Sequence, residues 1–453
     1  MATHTVAPQD LITLGTGILA AVGVPAADAR LLADSLVTAE LWGHSSHGML
    51  RLPWYAARLR SGAMEPVTRP TVVTDSGPLV VLDGNHGIGQ VLTAQAVDLG
   101  IERARAHGIA GVAVRNSNHF GTAAYFTRRA AEAGCVALLA TNASPAMAPW
   151  GGREKAVGTN PWSIAAPGGS YGPVVMDIAN TAVARGKIYL AKERGVLIPE
   201  GWAADADGVP TTDAREAVHG LILPMAGHKG YAISFMFDVL AGVLTGSSFG
   251  TGVAGPYDPA RRSGCGHFLM VVDVAAMQPA DEFASRMEAL VAQTKANPAA
   301  PGVDEIFVPG EIEQRNAARN AAGIALPSKT WDDLSTLAAE TGVAMPTPTP
   351  TPERSPDRCS PSSSPCRSSP ATGTPSSRPS PSRRGARSPT SPAAGTSTSP
   401  STPPTTTTSS SMSSTPTRQP STPTAPRRTS PPGGWPPPST SCPAVRSTRS
   451  PSN

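Results

Sequence analysis

The sequence predicts an α/β body followed by a long unstructured tail. Three observations predict it: apolar residues recur at helical spacing at both ends of residues 8–342, short strand-like apolar runs fill the centre, and the composition breaks near Met345. Of the 453 residues, 346–453 hold 27 of the 48 prolines, 12 of the 37 Lys and Arg, 2 of the 33 Asp and Glu, and no Leu, Ile, Phe, Tyr or Lys. A segment so poor in apolar surface cannot offset the entropy lost on ordering its backbone, so it is expected to be disordered. Ser, Thr, Pro, Ala, Gly and Arg are also what GC-rich DNA encodes in a wrong frame. The tail therefore reads either as a linker-like appendage or as a reading-frame artefact. Its charge is +10 and that of the body −6, so the net +4 gives no ground for nucleic-acid binding by the body.

Taken in order, Leu11, Leu14 and Ile18, then Leu31, Leu32 and Leu36, give helical spacing over 8–60, with Pro8 and Asp10 as a start signal. LVVLDG (79–84) reads as a strand entering a turn, 91–106 as a helix and GVAVRN (111–116) as a second strand. CVALLATN (135–142) and PVVMDIA (173–179) are short apolar runs bounded by turn residues, again strands. Helices are expected over 181–195 and 229–245, the latter carrying Ile233, Phe235, Met236, Val239, Leu240, Val243 and Leu244. HFLMVVDV (267–274) is a strand, and 280–297 and 329–341 are helices whose end of the body is expected to pack on the first. The body is long enough for about two domains at ~150 residues each.

Cys135 and Cys265 are the only cysteines of the body, and two isolated thiols make neither a disulfide framework nor a zinc site. That fits a reducing cytoplasm. MATHTVAPQDLITLG lacks the basic and apolar regions of a signal peptide, and no run reaches ~18 apolar residues. A cytoplasmic location with no membrane partner is the expectation.

Seven stretches bear on chemistry. Gly15-Thr-Gly17-Ile-Leu-Ala20 matches the dinucleotide fingerprint G-x-G-x-x-A, but it lies inside a helical pattern that begins before it, where the fingerprint needs a preceding strand. Asp83-Gly84-Asn85-His86-Gly87-Ile88-Gly89 reads as a strand-to-helix turn. Gly43-His44-Ser45-Ser46-His47-Gly48 precedes Arg51. Two histidines three apart share a helix face, yet no Cys or H-E-x-x-H pattern supports a metal, and none is expected. A hydroxyl that orients an imidazole beside an Arg whose planar fork grips a carboxylate suits an active site better. Arg115-Asn-Ser-Asn-His119-Phe-Gly121 follows a strand, where α/β proteins place ligands. The rest are Met147-Ala-Pro-Trp-Gly-Gly152 with Gly158-Thr159-Asn160-Pro161, Asp177 at the end of an apolar strand, and Gly227-His-Lys229-Gly-Tyr231, a lysine opening a helix where a phosphate binds well.

In order, GHSSHGMLRLPWY, VRNSNHFGTAAYF, ASPAMAPWGGREKAVGTNPWSIAAP, VVMDIANTAVARGKI, GVLIPEGWAADADGVPTT, LPMAGHKGYAISFMFDVLAGVLTG and VPGEIEQ resemble the malate/L-lactate dehydrogenase family, over about residues 8–342. The resemblance implies a non-Rossmann NAD(P)-binding mixed-sheet domain over 76–275, and a helical domain built from 1–75 and 276–345, with 346–453 as the tail. It also implies a homodimer, a small-molecule 2-oxo or 2-hydroxy acid substrate, and hydride transfer between NAD or NADP and C2 of that acid. Carried over by motif, it assigns Ser46, His47, Arg51, His119 and Asp177 to catalysis. To the cofactor it assigns Ala143, Thr159, Asn160, Asp177, Ile178, Ala179, Asn180, Thr181, Lys229, Pro309, Gly310 and Glu311. His47 is the favoured general acid/base, because Ser46 can fix its ring and Arg51 follows one turn on; His119 is the alternative. Two other readings stand beside this one: a nucleotide-binding but inactive or tail-impaired product, and a cyclic imino-acid reductase of the same family.

Overall fold

A computed structural model describes residues 3–348, all within one compact unit. The expectation of a disordered tail falls almost wholly on 349–453, outside the described residues. The chain opens with β1 (Thr3–Val6), α1 (Pro8–Ala21) and α2 (Ala26–Leu41). Pro8 in the first turn of α1 loses no hydrogen bond, because first-turn amides have no partner within the helix. α3 (Leu52–Ser61) follows two short 3₁₀ turns, Ser45–His47 and Met49–Arg51. The single helical run expected over 8–60 is therefore corrected. Gly23 and Gly43 take φ of +94° and +83°, a left-handed conformation that ends each helix. His44 and His47 accordingly do not share an α-helical face.

The formal dinucleotide fingerprint lies inside α1. A Cβ at Gly15 would stand 3.0 Å from Ala33 Cβ, and one at Gly17 3.1 Å from Val343 Cγ1. These glycines let α2 and the C-terminal segment approach α1, which is a packing role.

Next come β2 (Thr71–Asp75), β3 (Leu79–Asp83), α4 (Gly89–His107), β4 (Ile109–Ser117), α5 (Ala124–Glu132) and β5 (Cys135–Thr141). After them stand β6 (Pro145–Met147), β7 (Val157–Gly158), β8 (Trp162–Ala166) and β9 (Val174–Ile178). α6 (Arg185–Arg194) leads into a small lobe of β10 (Ala203–Ala204), β11 (Pro210–Thr211), α7 (Ala214–His219) and β12 (Leu221–Ile222). α8 (His228–Asp238) runs on through a π-helical turn, Val239–Val243. Then follow β13 (Cys265–Asp273), α9 (Ala280–Lys295), α10 (Glu311–Asn320), β14 (Ile324–Pro327) and α11 (Ser328–Thr341).

The main sheet has seven strands in the order β2-β3-β4-β13-β5-β8-β9. Only β3 and β4 pair in parallel, joined through α4; every other neighbour is antiparallel. A doubly wound nucleotide fold needs a run of parallel strands, so this sheet is of another kind. Late β13 sits at its centre, with Phe268 opposite Ala113 on one side and Ala140 on the other.

One core joins the two ends of the body. Leu11, Leu14, Ile18, Leu32, Leu36 and Leu52 pack with Ile324, Leu326, Leu334 and Leu337. β1 and β14 pair antiparallel, Val6 opposite Ile324. A second core, with Val112, Val114, Phe126, Leu139, Leu269 and Val271, covers one face of the sheet with α4 and α5. Among the described residues no helix is long and apolar enough to cross a membrane.

Candidate active site

The Ser46-His47-Gly48 segment is held by a buried acid. Glu40, near the end of α2, accepts the Met49 N–H at 2.9 Å, and burial raises its carboxyl above the usual range. A Cβ at Gly48 would run into Glu40 Oε1, so only glycine allows this approach. The turn then presents His47, whose Nδ1 lies 2.9 Å from Ser46 Oγ. Arg51 Nε donates to the Ser46 carbonyl at 2.7 Å, and its guanidinium lies 4.5 Å from the Trp54 ring centre. Among the described residues no carboxylate pairs with Arg51. Its two amino groups are thereby left to meet an anion from outside.

His119 reaches the same place from the other side, on the loop after β4. Its ring stacks on His47, centroids 5.7 Å apart and planes 15° from parallel. Tyr55, one turn beyond Arg51 on α3, brings its hydroxyl to 2.6 Å from His119 Nδ1. The Gly121 N–H donates to the same nitrogen at 3.2 Å. A backbone N–H can only donate, so Nδ1 carries a lone pair and the Tyr55 hydroxyl also donates to it. Neutral His119 then holds its proton on Nε2. Gly89 keeps this loop in place: a Cβ there would meet the Asn118 carbonyl, so α4 can start directly against it. Asn118 in turn donates to His86 O and Gly87 O, at 2.9 and 2.8 Å, and accepts from the buried Arg58 at 2.9 Å. Arg58 also binds the Gly255 and Asp258 carbonyls and ties that loop down.

Both imidazoles are neutral. Burial, then Arg51 and His44, takes His47 down to about 3. Burial, then Arg51 and His47, holds His119 well below its ordinary value. A third histidine, His267 on β13, is a core residue, with Nδ1 2.8 Å from Thr141 Oγ1 and Nε2 2.7 Å from Ser117 Oγ. The structure therefore brings together Ser46, His47, Arg51 and His119, and adds Tyr55. An aromatic on an apolar helix reads as core; its place four residues after Arg51 was the available signal.

A second cluster faces a cavity of about 380 Å³ lined by Trp42, His44, Asp177, Ile178, Phe307 and Pro309 among others. Asp177 takes the role of a helix cap here. Its Oδ2 accepts the Ala124 N–H at 2.8 Å at the start of α5, while burial raises its carboxyl. His44 Nε2 lies 3.3 Å from Glu313 Oε1 beside it. At Gly310, with φ +90°, a Cβ would stand 3.1 Å from the Val175 backbone N and O, and the Pro309 carbonyl accepts the Val175 N–H. The loop thus covers the edge strand β9. Glu311 is bound to Lys295 at 2.7 Å and accepts the Val308 N–H.

The remaining expected cofactor residues form a knot between β8, β9 and α8. Asn160 accepts the Ala143 N–H at 2.9 Å and donates to Ser234 O at 2.8 Å. Asn180 donates to Asn160 O at 2.7 Å, and its N–H to Thr159 O at 3.1 Å. Ala179 stands just before it, half-buried. Thr181 is buried, and its hydroxyl finds no hydrogen-bond partner among the described residues. Lys229 is exposed in the first turn of α8. Among the described residues no three His, Cys, Asp or Glu side chains converge as metal ligands.

Residues 6–335 match a family model described as malate/L-lactate dehydrogenase. The L-sulfolactate dehydrogenase of Methanothermobacter thermautotrophicus is 37% identical over 341 residues, 75% of this chain and 98% of that protein. The L-lactate dehydrogenase of Cupriavidus necator is 37% identical over 342 residues, 74% of this chain and 97% of the other. Among solved structures, malate dehydrogenase from Pyrococcus horikoshii superposes with a TM-score of 0.70 at 32% identity, over 76% of this chain and 97% of that one.

Proposed function

This chain belongs to the malate/L-lactate dehydrogenase family of NAD(P)-dependent 2-hydroxyacid oxidoreductases, and on that premise we propose that Arg51 and His119 handle the substrate's two oxygen-bearing ends. The observation that carries the reading is a guanidinium without an acidic partner, set beside two neutral imidazoles. Arg51 binds the carboxylate of a 2-oxo acid through its two amino groups. His119 directs Nε2–H at the C2 oxygen, polarises it, and delivers the proton as the alkoxide develops. His47, stacked on His119 and bound to Ser46, borders the same oxygen. This reverses the preference for His47 stated above, because two donors fix the tautomer of His119, whereas Ser46 can donate to His47 or accept from it.

The cofactor fits the second cluster. Apolar and aromatic walls with a few polar groups suit a nicotinamide and ribose, at the small end of the ~300–1,000 Å³ usual for ligand pockets. The unpartnered Thr181 hydroxyl supplies a further contact. Asp177, Ile178, Pro309 and Gly310 hold the cofactor, with His44 lining the same cavity; the Asn160 and Asn180 knot and Lys229 complete its site. A bound nicotinamide supplies or accepts the hydride at C2. The enzyme acts in the cytoplasm as a homodimer, and the exposed Phe235, Met236, Val243, Leu244 and Phe249 offer an apolar face to a second copy. A spectrophotometric screen of 2-oxo acids with NADH and NADPH tests the reading. Turnover of at least one acid by wild type and its loss in His119→Gln is expected, and turnover unaffected by that change would refute the assignment.

A further inference from the structure

We propose that Tyr55 is the proton source behind His119: its phenolic proton passes to His119 Nδ1 as Nε2 gives its own to the C2 oxygen. The inference rests on the acid/base role given to His119 above. Neutral His119 with its proton on Nε2 cannot part with it alone, because an imidazolate would remain. A second proton must reach Nδ1 in the same event. Two groups face that nitrogen. The Gly121 amide does not ionise under these conditions, whereas the Tyr55 hydroxyl, 2.6 Å away, carries a transferable proton. His47 cannot be that source, since it meets His119 ring face to ring face.

The atoms balance. Reduction forms the C2–H bond and leaves an alkoxide. The His119 Nε2–H bond breaks as the substrate O–H bond forms, and the Tyr55 O–H bond breaks as Nδ1–H forms. His119 stays neutral in its other tautomer, Tyr55 becomes a phenolate, and water returns its proton. In the oxidation direction each transfer reverses. The groups facing the phenol are Arg51 and Arg58 from its own helix, Gln90 from α4, Cys265 from β13 and His119 itself. Both guanidiniums and the Gln90 amide favour the phenolate; burial and Cys265 oppose it, and burial lifts the phenol to about 12. That is still more acidic than an aliphatic alcohol, so the transfer to the alkoxide runs downhill.

Tyr55→Phe tests the relay in single-turnover reduction, with NADH binding followed by fluorescence. The expected result is a rate about 10²-fold lower with KM for the 2-oxo acid and Kd for NADH nearly unchanged. The variant's rate should also climb about tenfold per unit of falling pH, because His119 must then be protonated beforehand, while wild type stays flat near neutrality. A wild-type rate and pH profile would overturn the relay. Independently of activity, nitrogen NMR of histidine-labelled wild-type protein should show His119 protonated on Nε2; protonation on Nδ1 overturns the proposal even if Tyr55→Phe fails to fold. His119→Gln is run in parallel. If it keeps the wild-type rate, the acid/base reading has failed; if it loses the rate and Tyr55→Phe does not, only the relay has.

Discussion

Replacing Arg51 with Lys keeps the charge and removes the fork. We expect kcat/KM for the 2-oxo acid to fall about 10²-fold, roughly 2–3 kcal/mol for a charged hydrogen bond, with NADH affinity unchanged. Equal weakening of NADH binding in a titration would take Arg51 out of the substrate site. For the histidines, His119→Gln should cost on the order of 10²–10⁴ in kcat, with a smaller loss for His47→Gln. Kinetics showing the reverse order would restore His47 as the acid. His267 makes a different prediction. Burial sets it at about 3 in the folded chain against 6.5 ordinarily, so between those values only the unfolded chain holds the proton. Its stabilising contribution is complete above about 6.5 and is lost as pH falls toward 3. Thermal melts should show Tm dropping across that window, and His267→Gln should shallow the slope. Ser46, His47 and Arg51 stood out in the sequence because polar residues between apolar helix segments need a reason, and His119 because it follows a strand, where α/β proteins place ligands. Tyr55 was not, because its ring is as buried as any core residue and only its oxygen shows its role.

At the scale of elements, the site depends on two close approaches. Gly48→Ala would drive a methyl into the Glu40 carboxyl that holds the Ser46–His47 turn. A destabilisation of about 1–3 kcal/mol in urea unfolding is expected, together with lost turnover. Unchanged stability would mean that the turn can shift away from Glu40. The long periodic segments were readable beforehand: α4, α9, α11, β4, β5 and β13 lie within a few residues of expectation. What was not readable is tertiary. β1 and β14 are four-residue strands that exist only because they pair with each other, and β8 alternates too briefly to stand out. The place of β13 between β4 and β5 comes from long-range pairing that no local window contains. Composition did break the expected 8–60 helix in principle, through Gly23, Pro25 and Gly43, but apolar spacing on either side masked the interruptions.

For the whole molecule, the core that joins the two ends is drawn from residues up to Met345. A chain shortened to residue 345 should keep wild-type activity and melting temperature, and loss of either would give the tail a function. In solution, light scattering on a sizing column should give twice the mass of one chain. A monomer that turns over at the full rate would exclude the dimer.

The joining of β1 to β14 also has a consequence for synthesis. Residues 8–64 contribute one half of a core whose other half, 324–345, leaves the ribosome some 260 residues later. At ~5–20 residues per second that is a wait of tens of seconds. Throughout it the emerging helices expose leucine faces with nothing to cover them, while the sheet formed from 71–273 can already close around its own core. The N-terminal helices are therefore natural clients for chaperones during translation. A ribosome stalled before residue 324 should carry a chain whose central sheet resists protease and whose first sixty residues do not.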